Sequence, residues 1–217
     1  MGSMFEIDPI LSKLFETAKE IIDHDDPGHD LAHALRVVSN ALKLKTEETP
    51  PHLAVAAALL HDSVNVPKNS PERKNSAFIC AQKAREILGG LQWKKEDVEA
   101  VAIAIEDHSF SRGVTPRTEL GKILQDADRL EAIGAIGIMR VFSTGAKMNS
   151  KYFHPTDPWA KSRSLDDIKF SIDHFFTKLL KLESSFQTEN GKKLAHSRTQ
   201  YMRGFLDQVR SEIDSSL

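Results

Sequence analysis

The sequence predicts an all-α protein, and three observations lead to that fold class. Apolar residues recur every three or four positions along most of the chain, which is the period of an α-helix. Prolines and capping side chains stand where these stretches begin, and glycines or prolines stand where they end. We find no alternation of apolar and polar residues long enough for a strand, and no internal repeat. The chain should therefore form a bundle of helices.

The starts of the predicted helices carry recognisable signals. Asp8-Pro9 combines a capping side chain with a proline at the first turn, and Ser70-Pro71 has the same form. The stretch 164–167 resembles a capping box ahead of an amphipathic pattern that reaches residue 179. The predicted helices begin at about residues 9, 30, 51, 71, 94, 120, 165 and 187.

Two later stretches have special features. The helix that begins near residue 120 should run to Ile133, after which Gly134 and Gly137 would let another helix approach closely. From 143 to 164 the helical period is lost among glycine, proline, serine, lysine and aromatic residues. A connection of this length inside a compact domain is usually functional, so we expect a lid over 143–164.

Length, composition and charge predict one ordinary domain. Residues 1–3 resemble a remnant of cloning, and residues 4–217 can bury one sizeable core without any compositional shift. The net charge of −2 gives no reason to expect a nucleic-acid polymer or a membrane surface as partner. The chain has no signal peptide and no spanning segment, so we expect a cytoplasmic protein. The sequence leaves the oligomeric state open, and a homo-oligomer is possible.

The stretch from Leu53 to Leu60 is apolar all round and is followed directly by His61-Asp62. A helix without a polar face must be buried, and this one is far too short to cross a membrane. It would carry an imidazole and a carboxylate into the interior, where each needs a partner. An isolated pair could simply form hydrogen bonds at the helix end, but a divalent metal ion would satisfy both groups at once.

Two further residues favour the metal. His33 and Asp128 fall on the predicted helices before and after the buried one, and both can point inward. Two imidazoles and two carboxylates suit one divalent ion, with Mn or Mg preferred and Co, Ni or Fe as alternatives. Cys80 is the only cysteine and reads as a small buried thiol, so a cysteine zinc site is excluded.

The order His…His-Asp…Asp resembles that of the HD-domain superfamily of metal-dependent phosphohydrolases. Residues 29–37 and 58–62 resemble the superfamily's segments for the first and second ligands. Further segments resemble its YedJ/YpgQ-like branch, namely 61–71, 108–111, 125–137 and 173–180, and together all of them extend over most of the chain. One departure is Leu31-Ala32, where aromatic residues are more usual. The resemblance implies a helical HD-type bundle with the metal bound between helices by His33, His61, Asp62 and Asp128.

The resemblance also implies an activity. A metal ion lowers the pKa of a bound water and polarises a phosphoryl oxygen, so water can attack phosphorus, with Asp62 essential for holding the ion. The branch implies nucleotide substrates, among them deoxynucleoside triphosphates cleaved to monophosphate and pyrophosphate. Three alternatives stay open. The first is a phosphomonoesterase or phosphodiesterase that acts on another small phosphate, and the second is a non-catalytic nucleotide sensor. The third is an oxygenase on the same helical scaffold, although that would usually need more ligands for a two-iron centre.

Cationic side chains near the metal segments are candidates for phosphate binding. Lys68 and Arg73 follow the second metal segment, although a solvated loop explains them equally well. Arg36 lies one turn beyond His33 and would either bind phosphate or orient Asp30.

Histidines outside the metal set receive roles mainly from the resemblance. His108 ends a predicted helix and is our candidate for the general acid and for a phosphate contact, with a core or surface histidine as the alternative. His29 and Asp30 would support the ligands from the turn before the first helical ligand. The predicted lid carries a cationic bias that suits an anionic substrate, through Lys147, Lys151, His154, Lys161 and Arg163.

Overall fold

The computed structural model describes residues 8–22, 30–64, 66, 72, 75–109 and 113–214. Within these ranges the regular structure is helical, and the one extended pairing is an isolated parallel bridge between Lys151 and Phe170. The prediction of an all-α fold is confirmed. No helix among the described residues combines the length and the hydrophobicity needed to cross a membrane.

The chain divides into two compact units, residues 1–128 and 129–217, and the single domain stays a prediction. Short 3-10 helices occur at Leu130–Ala132 and Leu179–Ser185. The α-helices are α1 Pro9–Ile21, α2 Leu31–Leu44, α3 Pro51–Leu60, α4 Ser76–Gly90, α5 Lys95–His108, α6 Glu119–Arg129, α7 Gly134–Lys147, α8 Asp173–Thr177 and α9 Glu189–Asp214.

Helix α3 is the centre of the N-terminal unit. All eight residues from Leu53 to Leu60 are buried, and the helix contacts α1, α2, α4 and α5. Truncating one of its leucines to alanine would create a cavity at a cost of about 2–5 kcal/mol. The surrounding helices therefore hold the end of α3, and with it His61 and Asp62, in a fixed position.

The single cysteine, on α4, is buried as expected. Burial raises the pKa of the Cys80 thiol to about 11, and its Sγ lies 3.7 Å from the carbonyl oxygen of Val64. A thiol with that pKa is almost wholly protonated at pH 8, and only the thiolate is nucleophilic.

We therefore expect Cys80 to react with iodoacetamide at pH 8 roughly 200-fold more slowly in the folded protein than in urea, where a thiol pKa of about 8.5 applies. Mass spectrometry of timed samples measures both rates. A folded-state rate within tenfold of the unfolded one would show that the thiol is accessible and ionised.

The predicted helix through Ile133 ends earlier than the pattern suggested. Helix α6 stops at Arg129, and Gly134 begins α7 with a φ of +76°, a conformation that glycine adopts without strain. A Cβ on Gly134 would lie 3.0 Å from the Arg198 side chain on α9, so a close approach of another helix is present there. At Gly137 the near neighbour is instead the carbonyl group of Ala132, in the preceding turn.

The amphipathic helix predicted from Leu165 is wrong over its first half. Only Asp173–Thr177 is α-helical, and Leu165 and Ile168 are exposed instead of facing a core. Phe170 bridges to Lys151, which holds the segment before α8 in turns. The predicted lid also begins later, because α7 continues to Lys147. Its role as a lid stays a prediction.

Candidate metal centre

The four predicted ligands lie close together in the N-terminal unit. His33 lies in the first turn of α2, His61 and Asp62 follow α3, and Asp128 lies in the last turn of α6. The Nε2 atom of His33 is 3.3 Å from Nε2 of His61, 4.0 Å from Oδ2 of Asp62 and 3.5 Å from Oδ1 of Asp128. The Nε2 atom of His61 is 3.3 Å from Oδ2 of Asp62 and 3.8 Å from Oδ1 of Asp128.

These separations fit a single divalent ion. Ligand atoms bound at about 2.1 Å lie roughly 3.0 Å apart at adjacent octahedral positions and roughly 3.4 Å apart in a tetrahedron. The five separations above, from 3.3 to 4.0 Å, are close to these values or slightly longer. The donor set of two imidazole nitrogens and two carboxylate oxygens suits the ions named above.

A local hydrogen bond sets the orientation of His61. Its Nδ1 atom lies 2.8 Å from the carbonyl oxygen of Ala58, one turn earlier in the chain. Because a carbonyl can only accept, Nδ1 carries the proton and donates it, and Nε2 is directed to the other ligands. Such a bond is the usual way in which a metal-binding histidine is held in one tautomer.

Helix α2 is positioned by two polar side chains. Asp30 caps its N-terminus, and the Asp30 carboxylate accepts a 2.7 Å hydrogen bond from the backbone N–H of His33. At the buried face of the same helix, Asn40 Nδ2 donates to the carbonyl oxygen of Ala127 at 3.2 Å. This bond joins the helix of His33 to that of Asp128. Sequence reasoning missed Asn40, although an amide on an apolar helix face was a usable signal.

The carboxylates make the centre favourable for a positive charge. Burial opposes protonation of His61, but the nearby Asp62 and Asp128 carboxylates outweigh it and raise the pKa of His61 to about 9. A divalent cation would be stabilised by the same field and would replace that proton.

His108, at the end of α5, lies directly beside the four predicted ligands, although its predicted roles were those of a general acid and a phosphate contact. It is buried, its ring centroid is 5.2 Å from that of His61, and it forms a second potential metal-binding group with His61 and Asp128. Its Nδ1 donates to the carbonyl oxygen of Ile105 at 2.6 Å, which leaves Nε2 as an acceptor. Burial and the neighbouring His61 lower the pKa of His108, so its neutral form is favoured.

A charged network that sequence reasoning missed holds the end of α5. Asp107 is buried and accepts from Arg117 through the backbone N–H at 3.0 Å, Nε at 2.8 Å and Nη2 at 3.0 Å. Gln125 on α6 donates to the carbonyl oxygens of Asp107 and Val114, each at 3.2 Å. These bonds fix the residue before His108, and they depend on a pairing across ten residues that no local pattern predicts.

The remaining predicted site residues differ in what the structure says of them. Arg36 is half-buried on α2, and its role as a phosphate contact or a support for Asp30 stays a prediction. His29, Lys68 and Arg73 lie outside the described residues, and their roles stay predictions as well.

Comparison with known proteins agrees with this architecture. The HD domain family matches residues 30–133, which contain all four converging residues. The protein YpgQ of Bacillus subtilis (strain 168) is 31% identical over 201 residues, which cover 90% of this chain and 89% of YpgQ.

Solved structures extend the similarity to the whole fold. The crystal structure of B. subtilis YpgQ in complex with ADP has a TM-score of 0.71 at 26% identity, covering 93% of this chain and 97% of that one. An HD-superfamily hydrolase from Bacillus thuringiensis has a TM-score of 0.71 at 32% identity, with coverage of 95% and 97%. The chain therefore belongs to the HD-domain superfamily of hydrolases, in its YpgQ-like branch.

Proposed function

We propose that this protein is a divalent-metal-dependent phosphohydrolase that acts on nucleotides. The observation that carries the proposal is the convergence of His33, His61, Asp62 and Asp128 at distances that fit one ion. HD-superfamily membership supports a hydrolase of phosphate esters or anhydrides, and the complex of YpgQ with ADP supports a nucleotide as substrate.

The side chains divide the work of holding the ion. His33 and His61 would each bind it through Nε2, and Asp62 and Asp128 would bind through one carboxylate oxygen while offsetting its charge. When bound, the ion supplies Lewis acidity at a phosphoryl oxygen and lowers the pKa of a water molecule. The hydrogen bond from His61 to Ala58 keeps one ligand in place without reorganisation during the reaction.

His108 supplies a proton acceptor at the same place. With Nδ1 bonded to Ile105, its Nε2 atom can accept a proton from an attacking water and later return it. The network of Asp107, Arg117 and Gln125 keeps this imidazole fixed at the end of α5. As a contact to substrate phosphate, His108 would act through the same nitrogen after protonation.

Phosphate binding would need further cations, because phosphoryl oxygens prefer charged donors. We assign this role to Lys68 and Arg73. Arg36 would either share it or orient Asp30. For a deoxynucleoside triphosphate the products would be the monophosphate and pyrophosphate.

The proposal is tested by a release assay for phosphate and pyrophosphate over a set of nucleotides. The protein is stripped of metal and then supplied separately with Mn, Mg, Co or Ni. We expect turnover of at least one nucleotide with an added ion, and loss of turnover in His33→Ala. The matched control is His196→Ala, because His196 is exposed on α9 and pairs with Glu183 at 2.7 Å.

Three results would contradict the proposal. Equal turnover in the stripped and reloaded protein would exclude a metal-dependent reaction. Tight nucleotide binding without hydrolysis under any ion would instead favour the sensor, and hydrolysis confined to non-nucleotide phosphates would favour the other phosphoesterases.

A further inference from the structure

The C-terminal unit contains a cavity of about 300 Å³, and every described residue that lines it belongs to this unit. This volume lies at the lower end of the range for pockets that bind small molecules. None of its lining residues belongs to the set that converges around His61. The wall is formed by parts of α7, by the chain just after it, and by residues around α8.

The charged side chains of the cavity favour an anion. Arg140 and Lys178 are both half-buried and line it, and Asp167 is the one carboxylate among the described residues of its lining. Oδ2 of Asp167 is already engaged, at 2.9 Å from Nδ1 of His174 and 2.8 Å from the Thr177 hydroxyl that donates to it. Two cations therefore face the cavity against one carboxylate whose charge an imidazole and a hydroxyl stabilise.

The rest of the cavity lining includes large apolar side chains. Val141 and Leu179 are buried, whereas Met148 is 49% exposed and Ile168 is 67% exposed although both line the cavity. When a ligand covers large apolar side chains that are exposed to water, the free energy of the system falls. A cavity with cations and exposed apolar side chains suits a molecule that has an anionic group and an organic body.

We propose that this cavity binds a small phosphorylated organic molecule. Its phosphoryl oxygens contact Arg140 and Lys178, and its organic part covers Met148 and Ile168. A phosphate group carries up to two negative charges on three free oxygens, so it can bind one guanidinium and one ammonium at the same time. A ligand with a single carboxylate would match these two cations less well. The inference rests on the cavity and does not depend on the proposed hydrolysis.

The test is isothermal titration of the full chain with ADP and with pyrophosphate, each with Mn present and in EDTA. In EDTA we expect binding of both probes, and Arg140→Gln and Lys178→Gln should each weaken it by at least about tenfold. Ile168→Asn should weaken binding of ADP but not of pyrophosphate. The matched controls are Arg203→Gln and Lys181→Gln, which change exposed cations of the same unit and should bind as the wild type does.

Further measurements separate binding from folding and from catalysis. Arg140 also donates to the carbonyl oxygen of Glu131 at 3.4 Å, so thermal unfolding is recorded for each variant, and Arg140→Lys should recover part of the affinity. Asp62→Ala should bind both probes in EDTA even when it hydrolyses nothing. Wild-type affinity in Arg140→Gln and Lys178→Gln, or no binding of either probe in EDTA, would overturn the proposal.

Discussion

Asp62→Ala should lower the rate of nucleotide hydrolysis by at least about 1,000-fold, which corresponds to roughly 4 kcal/mol of transition-state stabilisation. Asp62 supplies one of the two carboxylates that face His33 and His61. Without it, Asp128 is the one carboxylate left beside the two imidazoles, and this set holds an oxygen-preferring ion poorly. Rates of phosphate and pyrophosphate release with saturating Mn measure the effect. The matched control is Asp207→Ala, which removes an exposed carboxylate from α9.

The same variant should lose little stability when no metal is present. The Asp62 side chain is 35% exposed, so its removal leaves no deep cavity. Its removal takes away an attraction to protonated His61 and also a repulsion from Asp128, and we expect these two changes largely to offset each other. Adding Mn at about 100 times its Kd should stabilise only the wild type, by about 2.7 kcal/mol or roughly 5–10 °C in Tm. Hydrolysis by Asp62→Ala at a near wild-type rate would refute the metal mechanism.

Arg163→Met should lower the free energy of unfolding by about 3–5 kcal/mol, although the sequence suggested only a lid cation. Asp173 is fully buried, and its carboxylate accepts from Arg163 Nη1 at 2.5 Å, from Arg163 Nη2 at 2.8 Å and from the backbone N–H of Asp166 at 2.7 Å. Without the guanidinium, the buried negative charge keeps one donor among the described residues, the backbone N–H of Asp166. Urea unfolding followed by circular dichroism measures the loss.

A second substitution tests whether the buried charge is the cause. The double variant Arg163→Met with Asp173→Asn removes that charge and should recover at least half of the lost stability. Arg203→Met, at an exposed position on α9, is the control and should change the free energy of unfolding by less than about 0.5 kcal/mol. A loss below about 1 kcal/mol in the single variant would mean that water replaces the guanidinium at Asp173.

Local patterns predicted much of the fold and the four side chains that meet at the candidate metal centre. The apolar run from Leu53 to Leu60 predicted a buried helix, because no face of it can be left in water, and the structure buries every residue of it. The Asp8-Pro9 signal correctly predicted the start of α1, where the Asp8 carboxylate accepts from the N–H groups of Ile10 and Leu11.

The supports of the centre could not be read from local patterns. Asn40 is bonded to Ala127, 87 residues away, and Asp107 is held by Arg117 and by Gln125 from another helix. Each is an ordinary polar residue in sequence and gains its role only when the helices pack. His108 likewise lies beside His61 and Asp128, because α5 packs against α3. A sequence motif does not predict this proximity without the fold.

The stretch from Leu165 to Ile172 shows why local patterns failed there. Its apolar residues have the helical period, and its first residues resemble a cap, so propensity alone favours a helix. In the folded chain the buried Asp173 binds Arg163 and the N–H of Asp166, while Phe170 pairs with Lys151. The sequence by itself determined the helices whose burial follows from their own residues. The tertiary structure decided this segment, because a charge-assisted bond from a buried carboxylate outweighs the few tenths of a kcal/mol per residue that separate helix from turn.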